Sequence, residues 1–371
     1  MRILQLSDLH INTTAKRKMT FFFTKKHLSI AEERINRIYY FLHKLVREQE
    51  KKIDLIVFSG DIFDKRIPLA EDYASFIEIL YYIKETLDTP YCILSGNHDD
   101  ETSLRKSPLH TLEHLFTEKR DNYQEHTGFR KGFAVSEPQI FSIQGFNVIL
   151  CPWGTSYTQM SALKEYVKDY SGMYFMHVGV NDGKSHWAET ELESGVISLQ
   201  SLKELQSAIG IGHFHGQMEL ANNIWYCGSP ECYNFGEENQ EKGALIWEII
   251  QGESIKAVPI SAPYLHYKTY GINFLQIEDN LQDKQCYIRL KAEVTLEQYK
   301  LLLEKVKKHT CLGAYVQLQF YKNDYKNIRF IRPKGNEAFI KILLDKNKNL
   351  SDEHKKDVLE KHYSVDKELG L

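Results

Sequence analysis

The chain has 371 residues, of which 42% are apolar and 26% charged, and its formal net charge is −3. This length predicts two or three domains, the composition excludes a disordered or fibrous protein, and the near-balanced charge argues neither for nor against a nucleic-acid partner. Six cysteines without a CxxC pair favour reduced thiols in the cytoplasm, and no apolar run approaches the ~20 residues of a membrane span or resembles a secretory signal.

Strands and helices alternate over the first two thirds of the chain. Apolar or β-branched runs predict strands at residues 3–6, 53–58, 91–94, 141–143, 148–150, 173–176, 208–211, 224–227 and 244–249. Apolar residues at a helical spacing predict helices at residues 35–46, 73–83, 109–116 and 199–205. This alternation indicates an α/β layered sandwich, in which ligands bind beyond the C-terminal ends of the strands.

The composition changes between Pro259 and Pro263. Beyond this point the pattern predicts strands at 274–277, 286–290 and 315–320 and a helix at 296–306, which together suggest a small β-β-α-β domain. Pro333 and Gly335 interrupt the chain again, and the charged tail after them predicts short helices with too few apolar residues to fold alone. The predicted domains are therefore residues 1–262, 263–333 and 334–371.

Polar residues that can bind metals follow the predicted strands. They are Asp8, His10, Asp61, Asn97, His177, His213 and His215. Any one of them is more simply interpreted as a solvated loop residue, but seven at strand ends are hard to explain by chance. Alternate residues of an extended segment point the same way, so the pairs Asp8/His10 and His213/His215 can each direct two donors to one place.

The donor types indicate the metal chemistry. Imidazole, carboxylate and carboxamide groups together suit Mn²⁺, Fe²⁺ or Zn²⁺, and the absence of thiolates argues against structural zinc. Seven donors are too many for one open site. They suit two ions roughly 3.5–4 Å apart that share a carboxylate, an arrangement used for phosphoester hydrolysis.

The motifs resemble a known family. Asp-Leu-His at 8–10, Gly-Asp-Ile-Phe-Asp at 60–64, Gly-Asn-His-Asp at 96–99, His177 and Gly-His-Phe-His at 212–215 resemble the signature of calcineurin-like metallophosphoesterases in order and spacing. Segments 226–231, 235–237 and 242–243 resemble its nuclease branch, which includes SbcD and the meiotic recombination nuclease of double-strand-break repair. The resemblance covers about residues 1–250. It implies a four-layer α-β-β-α sandwich, a small α+β capping domain and a helical C-terminal tail.

The resemblance also implies roles for individual residues. Asp8, His10, Asp61 and His215 would hold one ion, and Asp61, Asn97, His177 and His213 would hold the other, with Mn²⁺ as the expected metal at both positions. His98 would protonate the leaving 3′ oxygen or stabilise the transition state rather than bind metal. Asp99 would orient His98, or serve only as a structural acid. Asp64 is expected to be a turn residue or to support a ligand.

The expected function is that of a two-metal DNA nuclease. A basic loop around three phenylalanines is predicted to contact DNA phosphates, or alternatively to be a solvated loop; its basic residues are Lys16, Arg17, Lys18, Lys25 and Lys26. The resemblance implies a homodimer that works with an SbcC-like SMC-type ATPase, which would dock at residues 334–371. The alternatives are a phosphodiesterase or phosphatase for a small phosphoester, and a catalytically silent DNA-end-binding regulatory subunit.

Overall fold

The computed structural model describes residues 1–13, 23–24, 30–48, 52–99, 109, 112, 132–135, 137–182, 196–262, 266–276, 286–308 and 313–320. The chain divides into two compact units. The first comprises Met1–Lys18 with His27–Tyr267, and the second comprises Met19–Lys26 with Lys268–Leu371. Among the described residues, no helix is long and apolar enough to cross a membrane.

The first unit contains two mixed sheets, each with six strands in the described part of the chain. The first sheet has the spatial order β15 (Ser254–Ser261), β14 (Gly243–Ile250), β1 (Arg2–Leu6), β3 (Leu55–Ser59), β4 (Tyr91–Leu94) and β5 (Gly132–Val135). The second has the order β12 (Met218–Ala221), β13 (Ile224–Tyr226), β11 (Ile209–Gly212), β8 (Gly172–His177), β7 (Phe146–Cys151) and β6 (Gln139–Ile143). In both sheets four neighbouring strands are parallel, and the others pair antiparallel.

The register brings the ends of the parallel strands to one edge of each sheet. Leu6 pairs with Phe58 between β1 and β3, and Ser59 pairs with Leu94 between β3 and β4. In the second sheet Gly212, at the end of β11, pairs with the last residue of β8. The loops after these strands therefore start close together.

Helices cover the outer faces of the sheets. They are α1 (Ile30–Glu48), α2 (Ala70–Tyr82), α3 (Tyr157–Ala162) and α4 (Leu199–Glu204). Ser156 and Ser198 begin α3 and α4, and each side chain accepts a hydrogen bond from a backbone N–H of the first turn. A short parallel pair, β9 (Gly179–Asn181) and β10 (Val196–Ser198), completes this unit.

Alternate residues of the central strands belong to different cores. Ile3 lies in the core between the two sheets, whereas Leu4 lies in the core that includes α1 and α2. On β8, Phe175 contributes to the central core and Tyr174 to the core beneath α3 and α4. Because these strands are buried on both faces, they appear in the sequence as continuous apolar runs. The three cores separate four layers, which confirms the predicted α-β-β-α sandwich.

The second unit contains a small sheet with the strand order β16 (His266–Tyr270), β17 (Cys286–Val294), β18 (Gly313–Phe320) and β2 (Phe23–Thr24). The helix α5 (Leu296–Lys308) connects β17 to β18, which are parallel neighbours and therefore need a crossover of about this length. Strand β2 pairs antiparallel with β18.

Some sequence predictions differ from the structure. The strand predicted at 274–277 is wrong, because Ile272–Gln276 form a 3₁₀ helix. Its turn is closed by the Phe274 N–H, which donates to the Gly271 carbonyl at 3.1 Å, and by the Asn273 side chain, which accepts from the Gly271 N–H at 3.0 Å. The sequence patterns did not predict helix α3 or several strands, namely β2, β5, β9, β10, β12, β15 and β16. Of the helix predicted at 109–116, only Leu109 and Leu112 are described, and both are helical.

Candidate metal centre

All seven predicted donors lie at the C-terminal edge of the two sheets. Three groups bring donor atoms within 4.8 Å of one another: Asp8, His10 and His215; His10, Asp61 and His98; and Asp61, His177 and His213. The groups share residues, so they form one continuous cluster with contributions from both sheets.

Asp61 lies between the two halves of this cluster. Its Oδ2 is 3.5 Å from Nε2 of His10, and its Oδ1 is 3.4 Å from Nε2 of His177. Each carboxylate oxygen thus faces a different set of imidazoles. This is the position expected of a carboxylate that bridges two ions.

The remaining donors complete the two sets. Nε2 of His10 lies 3.0 Å from Nε2 of His215, which is 3.9 Å from Oδ1 of Asp8. On the other side, Oδ1 of Asn97 lies 3.1 Å from Nε2 of His177 and can accept a hydrogen bond from it when Nε2 is protonated. The same oxygen lies 2.9 Å from Nδ1 of the His213 ring.

The donor set fits divalent cations. Nitrogen and oxygen atoms that carry lone pairs converge here. Such acceptors repel one another unless a proton or a cation lies between them. Nδ1 of His10 is buried and has no hydrogen bond, the nearest carboxylate oxygen being Oδ1 of Asp64 at 3.5 Å. Imidazole with carboxylate and carboxamide, and no thiolate, suits Mn²⁺, Fe²⁺ or Zn²⁺.

Electrostatic coupling sets the protonation of the cluster. Burial disfavours the charged form of Asp61, but the charge and hydrogen bond of His177 outweigh it and hold the pKa of Asp61 below its ordinary value. Burial also opposes protonation of His177, yet Asp61 raises the pKa of His177 to about 9. Burial lowers the pKa of His213 to about 4. Around neutral pH and without a metal, Asp61 is therefore an anion, His213 is neutral and His177 is protonated. A cation that binds to His177 must displace its proton, because only the neutral imidazole is a metal ligand.

Unusual backbone geometry directs several donors into the cluster. Asp8, His10, Asp61 and His213 have positive φ angles of 54°, 43°, 50° and 98°. Non-glycine residues adopt this region at a cost of about 1–3 kcal/mol each and persist there only when the surroundings hold them. The Asp8 N–H donates to the carbonyl of Gly60, and the His10 N–H to the carbonyl of Asp61, both at 3.0 Å. These bonds join the loop after β1 to the loop after β3.

Glycines allow the loops to approach the donors. A Cβ on Gly60, where φ is +94°, would clash with Nδ1 of His177. A Cβ on Gly96 would clash with the carboxylate and backbone of Asp61. Glycine at these two positions therefore leaves room for the donor side chains.

His98 belongs to the second of the three groups and is half-buried. Its backbone N–H donates to Oδ1 of Asp61 at 2.8 Å, and its ring centroid is 4.7 Å from that of His10. Nδ1 lies 2.9 Å from the carbonyl oxygen of Asp64, so Nδ1 carries the proton of that hydrogen bond. Nε2 is the ring nitrogen left to act on a bound substrate.

Asp99 supports the neighbouring turn. Its buried carboxylate accepts hydrogen bonds from the backbone N–H groups of Ile62, Phe63 and Gly96 at 3.0–3.1 Å. Burial, together with the charge of Asp61, raises the pKa of Asp99 to about 6. The sequence left two roles open for Asp99, to orient His98 or to serve as a structural acid. These contacts favour the structural role, because the hydrogen bond of the His98 ring goes to the carbonyl of Asp64.

Asp64 itself lies behind His10. Its Oδ2 accepts a hydrogen bond from the Asn12 side chain at 2.6 Å. The neighbouring His10 ring, whose Nδ1 lies 3.5 Å from Oδ1 of Asp64, is the main cause that lowers the pKa of Asp64 to about 2. These contacts agree with the prediction that Asp64 supports a ligand.

Sequence reasoning gave no role to three further residues. The first is Glu237, whose Oε1 lies 3.1 Å from Nδ1 of His215 and whose Oε2 lies 2.7 Å from Nζ of the fully buried Lys242. Burial opposes ionisation of Glu237, but the His215 hydrogen bond and the Lys242 charge lower its pKa to about 2. Glu237 and Lys242 both fall in the family-like segments 235–237 and 242–243, so the sequence marked these residues but not their contacts.

The other two are aromatic side chains that complete the surroundings. The Tyr233 hydroxyl lies 2.6 Å from the carbonyl oxygen of Asp8, and its ring centroid is 5.3 Å from those of His10 and His215. The Trp153 ring is tilted against His213, with 5.1 Å between centroids. No pattern in the sequence distinguishes these two residues from core aromatics.

The candidate DNA-contact residues Lys16, Arg17, Lys18, Lys25 and Lys26 lie outside the described residues, as does the predicted tail at 334–371. Their predicted roles therefore stay predictions.

Comparisons with known proteins agree with the geometry. The family model described as calcineurin-like phosphoesterase matches residues 1–247. The SbcD component of the SbcCD nuclease of Staphylococcus epidermidis is 28% identical over 226 residues, which cover 57% of this chain and 59% of that protein. The chain thus spans less than two thirds of this relative's length.

A solved structure also aligns with the chain. It is the glutamine-dependent NAD⁺ synthetase from Acinetobacter baumannii in complex with ADP, with 10% identity, a TM-score of 0.33, and coverage of 96% of this chain and 70% of that one. A score this low carries no argument about fold or function. The family match, by contrast, spans 247 of the 371 residues and contains every predicted donor. The chain therefore belongs to the calcineurin-like phosphoesterase family, and its sequence is similar to the SbcD branch of that family.

Proposed function

We propose that this chain is a DNA nuclease that hydrolyses phosphodiester bonds during DNA end processing and depends on two divalent ions, with Mn²⁺ as the metal. The observation that carries the proposal is the position of Asp61 between two sets of donors, with His98 beside them. The preference for DNA over a small phosphoester rests on the similarity to the SbcD component of the SbcCD nuclease.

The donor set divides naturally between two ions. Asp8, His10 and His215 would hold one, and Asn97, His177 and His213 would hold the other, with Asp61 shared between them. When bound, two such ions polarise the phosphoryl group and stabilise the charge that develops on its oxygens.

The protein's own contribution is to fix the ligands and to move a proton. The Ser59 carbonyl lies 2.8 Å from Nδ1 of His177, so Nδ1 donates to it and Nε2 faces the donors. In His98 the hydrogen bond from Nδ1 to the Asp64 carbonyl fixes the ring, and the imidazolium form then donates a proton from Nε2 to the departing 3′ oxygen.

The partners are inferred from the relative, whose name makes it one component of a larger nuclease. We infer that this chain works as a homodimer with an SbcC-like SMC-type ATPase. The tail at 334–371 would provide the docking segment, and the loop containing Lys16–Lys18 and Lys25–Lys26 would contact the phosphates of DNA.

The test compares two substrates. Purified protein, with and without an SbcC-like partner and ATP, is given linear double-stranded DNA or bis(p-nitrophenyl) phosphate in the presence of Mn²⁺, with a chelated sample as the blank. Mn²⁺-dependent DNA cleavage is expected. Hydrolysis of the small diester alone would favour a small-molecule phosphodiesterase, and Mn²⁺ binding without hydrolysis of either substrate would favour a silent regulatory subunit; either result overturns the proposal.

A further inference from the structure

We infer that Glu237 is a positioning residue, which sets the tautomer and orientation of His215 and thereby the metal affinity of the site, and that the buried Lys242 holds Glu237 in place. The inference rests on the proposed function only in taking His215 to be a metal ligand.

The geometry at His215 determines which nitrogen can bind a cation. Nδ1 lies 3.1 Å from Oε1 of Glu237, and a carboxylate only accepts, so Nδ1 is the protonated nitrogen. In the neutral ring, Nε2 then keeps its lone pair. It is this atom that lies 3.0 Å from Nε2 of His10 and 3.9 Å from Oδ1 of Asp8. The neutral tautomer required of a ligand is therefore selected by the contact with Glu237.

The buried Lys242 side chain hydrogen-bonds to both the Glu237 carboxylate and the backbone of His215. This side chain is fully buried, and Nζ lies 2.7 Å from Oε2 of Glu237. The same ammonium lies 2.9 Å from the backbone carbonyl oxygen of His215, as well as 3.2 Å from Oγ of Ser229. One cation thus anchors the backbone of residue 215 and the carboxylate that holds its ring.

Local hydrogen bonds fix Glu237 further. The Tyr233 backbone N–H donates to Oε2 at 3.2 Å, and the Asn234 side-chain amide donates to Oε1 at 2.9 Å. Both oxygens are therefore satisfied by neighbours that come from the same short segment, Phe235–Glu237 and the residues before it. The carboxylate has little freedom to leave His215, as expected of a group whose task is orientation.

A simpler alternative must be separated from this one, namely that Glu237 only neutralises the buried charge of Lys242. The two roles predict different effects of changing the carboxylate. A neutralising role predicts lower stability with unchanged intrinsic metal affinity, whereas a positioning role predicts weaker metal binding that is transmitted through His215.

The experiment measures Mn²⁺ affinity of metal-free protein by calorimetric titration, and follows the bound ion by electron paramagnetic resonance. Glu237→Gln keeps the side-chain shape but cannot satisfy both His215 and Lys242 as an anion does, and Glu237→Ala removes the acceptor. We expect affinity to fall about 10–100-fold, the usual effect of losing a group that orients a ligand. Glu241→Gln is the matched control, since this exposed side chain lies in the same segment and should leave affinity unchanged.

A double-mutant cycle decides between the two roles. In a His215→Asn background, Glu237→Gln should cause no further loss of affinity, because the group through which it acts is gone. An equal loss in both backgrounds, or wild-type affinity in folded Glu237→Gln, would overturn the inference. If Glu237→Ala does not fold, Glu237→Gln and the double-mutant cycle still distinguish the positioning role from the neutralising role. DNA cleavage is scored separately, so a wild-type protein that binds Mn²⁺ without cutting DNA contradicts the proposed function and not this inference.

Discussion

Replacing Gly60 with alanine tests how closely the loop after β3 approaches the donor His177. Two costs add at this position. The backbone has a φ of +94°, which costs an L-residue about 1–2 kcal/mol, and the new Cβ clashes with Nδ1 of His177, an overpacking worth about 1–3 kcal/mol. Gly60→Ala should therefore destabilise the protein by about 2–5 kcal/mol and also weaken Mn²⁺ binding, because His177 must move.

Two other glycines separate these costs. Gly252 has a φ of +76° but open space where a Cβ would lie, so Gly252→Ala has only the backbone cost. Gly96 has an ordinary φ but would clash with Asp61, so Gly96→Ala has only the packing cost and should weaken metal binding. The assay is thermal unfolding of chelated protein together with calorimetric Mn²⁺ titration of each variant.

These costs predict an order of destabilisation. Gly60→Ala should exceed each of the other two, and Gly252→Ala should retain wild-type Mn²⁺ affinity. If Gly60→Ala unfolds at the same temperature as Gly252→Ala and binds Mn²⁺ as tightly as the wild type, the close approach to His177 is wrong.

Two further predictions concern the chemistry of the site. His98→Gln should lower DNA cleavage about 10²–10⁴-fold, which is the usual contribution of a general acid. The variant should retain Mn²⁺ binding, because residue 98 contacts Asp61 through its backbone N–H. Cleavage near the wild-type rate would refute the role of the His98 ring. Chelation should abolish cleavage and lower the unfolding temperature, and Mn²⁺ at 100 times its dissociation constant should restore about 2.7 kcal/mol of stability. An unfolding temperature that does not respond to added Mn²⁺ would contradict metal binding by the folded state.

Much of the fold, and the convergence of the candidate donors, could be predicted because both depend on local patterns. Strands buried on both faces appear as apolar runs, and parallel strands that end at one edge bring the residues after them together. Asp8, Asp61 and His213 lie within two residues of the ends of three such strands. Predicting their convergence therefore required the positions of the strand ends and the fold class, but not the individual side-chain contacts.

The contacts around those donors could not be predicted in the same way, because they join distant parts of the chain. Glu237 reaches His215 across 22 positions, and Tyr233 reaches the Asp8 carbonyl across 225. Strand β15 was missed since its alternating exposure and Pro259 lack the continuous apolar character of the central strands. Its place is determined by pairing with β14, which is a tertiary contact.

The strained backbone at the candidate donors explains why the surrounding hydrogen bonds are so numerous. A positive φ at Asp8, His10 and Asp61 is unfavourable for each residue separately, so the loops that carry them must be held by other contacts. Bonds between the loops after β1 and β3 supply part of this support, and the Asp99 carboxylate, which accepts three backbone N–H groups, joins the second loop to Gly96. All of these bonds are made by the chain itself, so the strained backbone at the candidate donors is held in place by the loops around it.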